Sequence, residues 1–212
     1  SEPVRVVHYI NQAFAGIGGE EHADRPVEVR DGAVGASRAL QQALGEQGTV
    51  VATIICGDNY AVEEPQAKED IKAAIEKLKP DLVITGPAFD AGRYGVACTD
   101  TCLAAEALGI PAVTGMEPEN PGLSGERKRA YTVPTGISAS EMAAALKKMT
   151  ALGLKRARGE ELGPAAEEGY LPRGIRKLTH ADKLGYERAL DMLKARLEGA
   201  PFNSEVPLSE QN

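Results

Sequence analysis

Val4-Arg5-Val6-Val7-His8-Tyr9-Ile10 is a β-branched, mostly apolar run that ends on polar Asn11-Gln12, which predicts a strand opening into a loop. Residues 13–30 are rich in glycine and charge and read as loop. Residues 32–46 carry Val34, Leu40 and Leu44 at roughly helical spacing, with Gly48 as the stop signal. Residues 49–56 form a second apolar strand, followed by polar Gly57-Asp58-Asn59-Tyr60. Ile71, Ala74, Ile75 and Leu78 share one face of a predicted helix over 66–78, which Pro80 ends.

The alternation continues. Residues 81–85 predict a third strand, opening into residues 86–94, and a small-residue helix follows over about 95–108. Residues 110–114 predict a fourth strand, opening into residues 115–120, and residues 129–133 a fifth. Ser138-Ala139-Ser140-Glu141 has the form of a capping box and introduces a helix with Met142, Leu146, Met149 and Leu152 on one stripe. Continuous apolar strands alternating with helices predict an α/β fold. The expected form is a doubly wound, mainly parallel five-stranded sheet, flavodoxin-like or Rossmann-like, with a C-terminal helical extension. Residues 1–158 are read as the α/β domain. Residues 159–212 form a polar connector (159–176), a helix (179–198) and a tail (201–212), packing on that domain or on a partner.

Composition narrows the function. Hydrophobic residues make up 42% and charged residues 26%, as in soluble globular proteins. Twenty-four Lys+Arg against 31 Asp+Glu give a net charge of −7. The longest basic run is Arg127-Lys128-Arg129, so a nucleic-acid partner is not expected. No apolar run reaches the ~18 residues of a membrane span and no leader is visible at Ser1-Glu2-Pro3. The expectation is a cytoplasmic protein whose three cysteines, Cys56, Cys98 and Cys102, are reduced.

Ligands of open parallel α/β sheets sit beyond the carboxyl ends of the strands. The segments after the first four predicted strands hold Phe14, Tyr60, Phe89 and Tyr94, four of nine aromatics. They also hold Asp58, Asn59, Asp90, Arg93, Glu117 and Asn120, each of which also reads as a solvated turn residue. Gly16-Ile17-Gly18-Gly19 does not make a dinucleotide fingerprint. The next required glycine position is Glu21, and Glu20-Glu21 puts negative charge where a pyrophosphate would lie. Cys98 and Cys102 lie near the start of a predicted helix, where the dipole would favour a Cys98 thiolate; both are equally ordinary helix-packing residues. No zinc-ligand spacing is present and no metal is expected. His8, in an apolar strand, reads as a satisfied core residue, and His22 and His180 as surface residues.

The same segments resemble component B of the glycine/sarcosine/betaine reductases. The resemblance is carried by His8-Tyr9-Ile10-Asn11-Gln12-Ala13-Phe14-Ala15-Gly16-Ile17-Gly18-Gly19-Glu20-Glu21, by Cys56-Gly57-Asp58-Asn59-Tyr60 and by Gly86-Pro87-Ala88-Phe89-Asp90-Ala91-Gly92-Arg93-Tyr94-Gly95-Val96-Ala97-Cys98. Gly109-Ile110-Pro111-Ala112-Val113-Thr114-Gly115-Met116 and Glu168-Gly169-Tyr170-Leu171-Pro172-Arg173-Gly174-Ile175-Arg176 extend it over essentially the whole chain. The resemblance implies a subunit of a reductase that cleaves a carbon–heteroatom bond α to a carboxylate. Family members are about twice as long and carry a selenocysteine motif in a second half absent here. The expectation is therefore a second subunit equivalent to that half, bearing the redox-active Cys or selenocysteine, and a thiol/selenol redox protein as partner, with no other cofactor identified.

Read onto this chain, the resemblance implies a small carboxylated, amine-like substrate. Arg93 would pair with its carboxylate, and Phe14, Tyr60, Phe89 and Tyr94 would hold its cationic end. Asp58, Asp90 or Glu117 would hold that charge or move a proton, and Cys98 would relay in thiol exchange. Asn11, Gln12, Gly18, Gly19, Glu20, Asn59 and Met116 complete the expected binding set. The alternatives are a non-catalytic binding or scaffold subunit, and a racemase- or lyase-like enzyme made of two halves.

Overall fold

The first strand, β1 (Val4–Asn11), is buried on both faces, and its side chains divide between two apolar clusters as the period of two requires. A computed structural model describes residues 1–175 and 187–194. In it β1 pairs in parallel with β3 (Gly48–Cys56) on one side and β4 (Leu82–Thr85) on the other. β5 (Ala112–Met116) and β6 (Thr132–Pro134) continue the parallel sheet beyond β4. A strand not expected from sequence, β2 (Glu28–Asp31), pairs antiparallel with β3 at the edge, giving the order β2-β3-β1-β4-β5-β6. The five parallel strands alone run 2-1-3-4-5, the flavodoxin-like order. The predicted α/β architecture is therefore observed, with six strands rather than five.

Val7 and Tyr9 face a cluster closed by α2 (Asp58–Glu63), α3 (Pro65–Leu78) and α4 (Gly92–Ala107). Val4 and Val6 face the opposite cluster, closed by α1 (Ser37–Leu44) and α5 (Met142–Ala157). Pro65 opens α3 at a position where a missing N–H costs nothing, and Lys79 ends it in the left-handed region at φ 49°. The α4 helix starts three residues earlier than the small-residue pattern suggests, so Arg93 and Tyr94 lie in its first turn and Cys98 is its seventh residue. The Ser138 hydroxyl accepts from Ser140 N at 3.2 Å and caps a 3-10 turn, Ala139–Glu141; α5 begins only after it.

His8 is fully buried and satisfied, as its apolar setting suggests. Its Nε2 lies 2.7 Å from the Gly86 carbonyl, which can only accept, so Nε2 carries the proton and Nδ1 accepts from the Ser37 hydroxyl at 2.7 Å. Burial pushes its pKa down from 6.5 to about 4, against the opposing bond to Gly86.

The stretch after α5 returns to the sheet edge through the short helix α6 (Ala165–Glu168). Leu171 N donates to Thr132 O at 2.8 Å, and Arg173 donates to Arg129 O at 2.7 Å and to the Tyr131 hydroxyl at 2.9 Å. The guanidinium carbons of Arg156 and Arg173 lie 3.8 and 3.9 Å from the centre of the Tyr131 ring. One compact unit comprises Ser1–Gly174 and a second comprises Ile175–Asn212. Of the helix expected over 179–198, residues 187–194 are helical and the remainder lies outside the described residues, as do the expected tail, Arg176 and His180. No helix among the described residues is long and apolar enough to cross a membrane.

Candidate functional site

The sheet has its topological switch point between β1 and β4, where successive connections leave in opposite directions. Register Asn11↔Cys56 brings the carboxyl ends of β1 and β3 level, and β4 ends two residues short of them at Thr85, opposite Tyr9. The segments beyond them meet there. The rings of Phe14 and Phe89 stand edge to face with centroids 6.4 Å apart, and Phe14 and Tyr94 lie 5.5 Å apart. Tyr9 lies behind Tyr94 at 6.4 Å. Phe89 and Tyr94 are buried, so of Phe14, Phe89 and Tyr94 only Phe14 reaches the surface and the other two support it from beneath.

Phe89 sits at φ 53°, a conformation a bulky residue adopts only when its surroundings hold it. Its carbonyl accepts from Glu117 N at 2.9 Å and from Asn120 Nδ2 at 2.9 Å. The same Asn120 amide donates to Ala91 O at 3.1 Å, while its Oδ1 accepts from Gly122 N at 2.8 Å. Asn120 is 4% exposed, so it belongs to the frame of the site and not to its surface. Gly95 accommodates it: an added Cβ there would lie 2.1 Å from Asn120 Oδ1.

Asp58 forms the polar centre. Asn11 Nδ2 and Gln12 Nε2 both donate to its Oδ2, at 3.2 and 3.1 Å, and Asp58 N donates back to Gln12 Oε1 at 3.0 Å. Asp58 Oδ1 is buried without a hydrogen-bond partner, and so is the Tyr94 hydroxyl. Burial raises the Asp58 pKa, against the two amide donors and Arg93, which lower it; Glu20 adds to the rise. Arg93 donates to Glu20 Oε2 at 2.7 Å, and that bond is the main reason its own pKa is raised. Asn59 donates to Asp24 Oδ1 at 2.5 Å. Gly18 and Gly19 lie in the loop before Glu20, and Gly19 N donates to Glu21 Oε1 at 3.0 Å.

Other expected site residues are placed differently. Cys98 is fully buried; burial, with Cys102 next to it, raises its pKa well above the usual thiol value. The expectation of a dipole-stabilised thiolate is corrected, because the early start of α4 leaves Cys98 beyond the first turn and in the core. Cys56 and Cys102 are buried too, and burial pushes both up to about 12. Met116 is fully buried in the cluster beneath α4 and is a core residue. Tyr60 packs against that cluster from α2 and is not among the paired rings. Glu117 turns its carboxylate onto its own loop, accepting from Glu119 N at 2.8 Å, and Asp90 is exposed. Asn120, a loop polar by sequence, frames the site, and nothing in its sequence context separates that role from ordinary turn chemistry.

An α/β domain with its buried polar and aromatic groups gathered at the switch point belongs to the doubly wound class, whose ligand sites lie at that point. Comparison with known proteins specifies it further. Residues 3–212 match the family model of glycine/sarcosine/betaine reductase selenoprotein B, and the chain belongs to this family. It is 48% identical over 207 residues to the sarcosine reductase complex component B subunit beta of Peptoclostridium acidaminophilum, covering 97% of this chain and 48% of that protein. It is 49% identical over 206 residues to the glycine reductase complex component B subunit gamma of Carboxydothermus hydrogenoformans, covering 96% and 47%. Against the betaine reductase complex component B subunit beta of P. acidaminophilum the identity is 38% over 212 residues, covering 98% and 48%. The chain thus spans about half the length of these relatives.

Proposed function

We propose that the strand-end rim binds a small carboxylated amine, and that this chain supplies the substrate-holding half of a reductase of the glycine/sarcosine/betaine type. The observation that supports this reading is the convergence of Asp58, with its unpartnered buried oxygen, Arg93 and the Phe14–Phe89–Tyr94 rings on one rim in a member of this family. Asp58 and the part-exposed Phe14 ring suit the cationic end, with the buried Phe89 and Tyr94 rings backing Phe14, and Arg93 suits the carboxylate. The raised pKa of Asp58 also fits it to pass a proton to or from the nitrogen.

The bond-breaking step needs a thiol or selenol that forms a bond to the α-carbon while the C–N pair departs with the amine. The burial of Cys56, Cys98 and Cys102 favours a nucleophile from outside residues 1–212 over a Cys98 relay. The test uses the assembled enzyme with glycine, sarcosine and betaine as substrates and a dithiol as reductant. Arg93→Ala should raise KM or abolish turnover, and Arg93→Lys should restore part of it. Unchanged kinetics would remove Arg93 from the site, and turnover without any reductant would replace this reading by a racemase- or lyase-like one.

A further inference from the structure

The Arg93 guanidinium that a ligand carboxylate would meet is already engaged by another carboxylate of the same chain. Arg93 Nη2 donates to Glu20 Oε2 at 2.7 Å across 73 residues of sequence, and the Glu20 side chain is 73% exposed. Glu20 follows Gly16, Gly18 and Gly19; Gly16 stands at φ 76° with nothing within 4 Å of where a Cβ would be. Both flanks of this apex are pinned. On one side Ile17 N donates to Gln12 O at 3.0 Å; on the other Ala23 O accepts from Asn59 N and Tyr60 N at 2.9 and 3.0 Å. The carboxylate is therefore held at the rim by a single exposed ion pair, of a kind that contributes little and exchanges readily.

We infer that Glu20 is a built-in competitor for the carboxylate that Arg93 takes up, so that binding proceeds by exchange of one carboxylate for the other. The inference rests on the reading of the rim as a carboxylated-amine site. Exchange also sets specificity. A bare carboxylate entering at Arg93 frees Glu20 close to Asp58, and a single guanidinium then serves three carboxyl groups. A ligand that brings its own ammonium offsets them. The rim discriminates by this device against simple anions, and Glu20 is the residue that sets the discrimination.

The experiment titrates the 212-residue chain with betaine and separately with acetate, following the Arg93 side-chain Nε–H resonance by NMR. Wild type, Glu20→Gln, Glu20→Ala and Arg93→Ala are compared. Removing the Glu20 charge should lower the betaine midpoint about two- to threefold and the acetate midpoint by more, about fivefold, in line with the range for exposed pairs. Arg93→Ala, followed on the loop 16–22 amides, should lose both. Equal or weaker binding of both ligands in the two Glu20 variants overturns the inference, and an equal gain for betaine and acetate overturns its specificity part. If Arg93→Ala loses binding while the Glu20 variants match wild type, the reading of the rim stands and the role of Glu20 falls. Wild-type-like binding by Arg93→Ala, or no binding by wild type and Glu20→Gln alike, overturns both.

Discussion

Gly95→Ala should be destabilising in wild type and harmless once Asn120 is gone. The added methyl would lie 2.1, 2.6 and 2.7 Å from three atoms of the Asn120 amide group, so the amide must leave. Leaving breaks its bonds to Phe89 O, Ala91 O and Gly122 N, at 2.9, 3.1 and 2.8 Å, in a place where no water replaces them freely. At about 1 kcal/mol for each such bond, and more where a buried group is left unpaired, the loss is about 3 kcal/mol. Helix propensity works the other way, since alanine is favoured over glycine inside a helix by about 0.5–1 kcal/mol. In an Asn120→Ala background the bonds are already absent and only the propensity gain remains. Urea unfolding followed by circular dichroism across the four proteins of the cycle measures the coupling, and thermal midpoints should fall by roughly 2–4 °C per kcal/mol for a chain of this size. A Gly95→Ala cost that persists unchanged without Asn120, or that is absent with it, refutes the lock. Because the same amide holds Phe89 at φ 53°, Gly95→Ala should also weaken betaine binding beyond its effect on stability.

Three further outcomes follow from burial. His8 stays neutral when folded down to about pH 4 but takes a proton near 6.5 when unfolded, so the unfolded chain binds more protons in between; stability is full above pH 6.5 and falls by about 3 kcal/mol towards pH 4. Urea titrations over this range should show that slope, and His8→Asn should flatten it. At pH 8 the native chain should resist a disulfide thiol reagent while the denatured chain titrates three thiols, since Cys56, Cys98 and Cys102 are all buried; rapid native labelling of Cys98 would return it to the reacting groups. Asp58→Asn should leave stability at pH 7 within about 1 kcal/mol of wild type or raise it, because a carboxylate whose pKa burial has raised is a burden once pH exceeds that pKa, yet betaine binding should be lost.

How much of this was legible in the sequence depends on what each feature buries. The five parallel strands are nearly continuous apolar runs, because helices cover both faces, and they read directly. β2 is Glu-Val-Arg-Asp with alternate residues half-buried, held by backbone pairing to β3 and protected at the edge by its charges, so no hydrophobic signal marks it. α2 buries only Ala61 over six residues and is equally silent. The start of α4 is not legible, because its buried residues after Tyr94 are small or polar (Gly95, Ala97, Cys98, Thr99, Thr101, Cys102, Ala105) with no hydrophobic stripe to count from, and no side-chain cap announces Gly92. With the start at Gly92, Cys98 lies about two turns into α4 and packs in the core instead of at its N-terminus. The rim itself was legible as a set of loops, through the strand-end rule. Its internal pairings, Arg93 with Glu20 and Asn120 with Phe89, join segments 73 and 31 residues apart and exist only in three dimensions.

The same burial explains both what the rim offers and what it withholds. Removing water beneath the switch point raises the pKa of Asp58, which makes its carboxylate a better proton acceptor. It raises Cys56, Cys98 and Cys102 as well, and a thiol pushed that far is not a nucleophile. A carboxylate made more basic by burial and a reactive thiolate therefore need opposite environments, and this domain provides the first. On the proposed reading the second must approach from the carboxyl end of the strands, where the Glu20–Arg93 pair is exposed. An assembly that brought its thiol or selenol to the opposite, amino-terminal end of the strands would leave this division of labour without a physical basis.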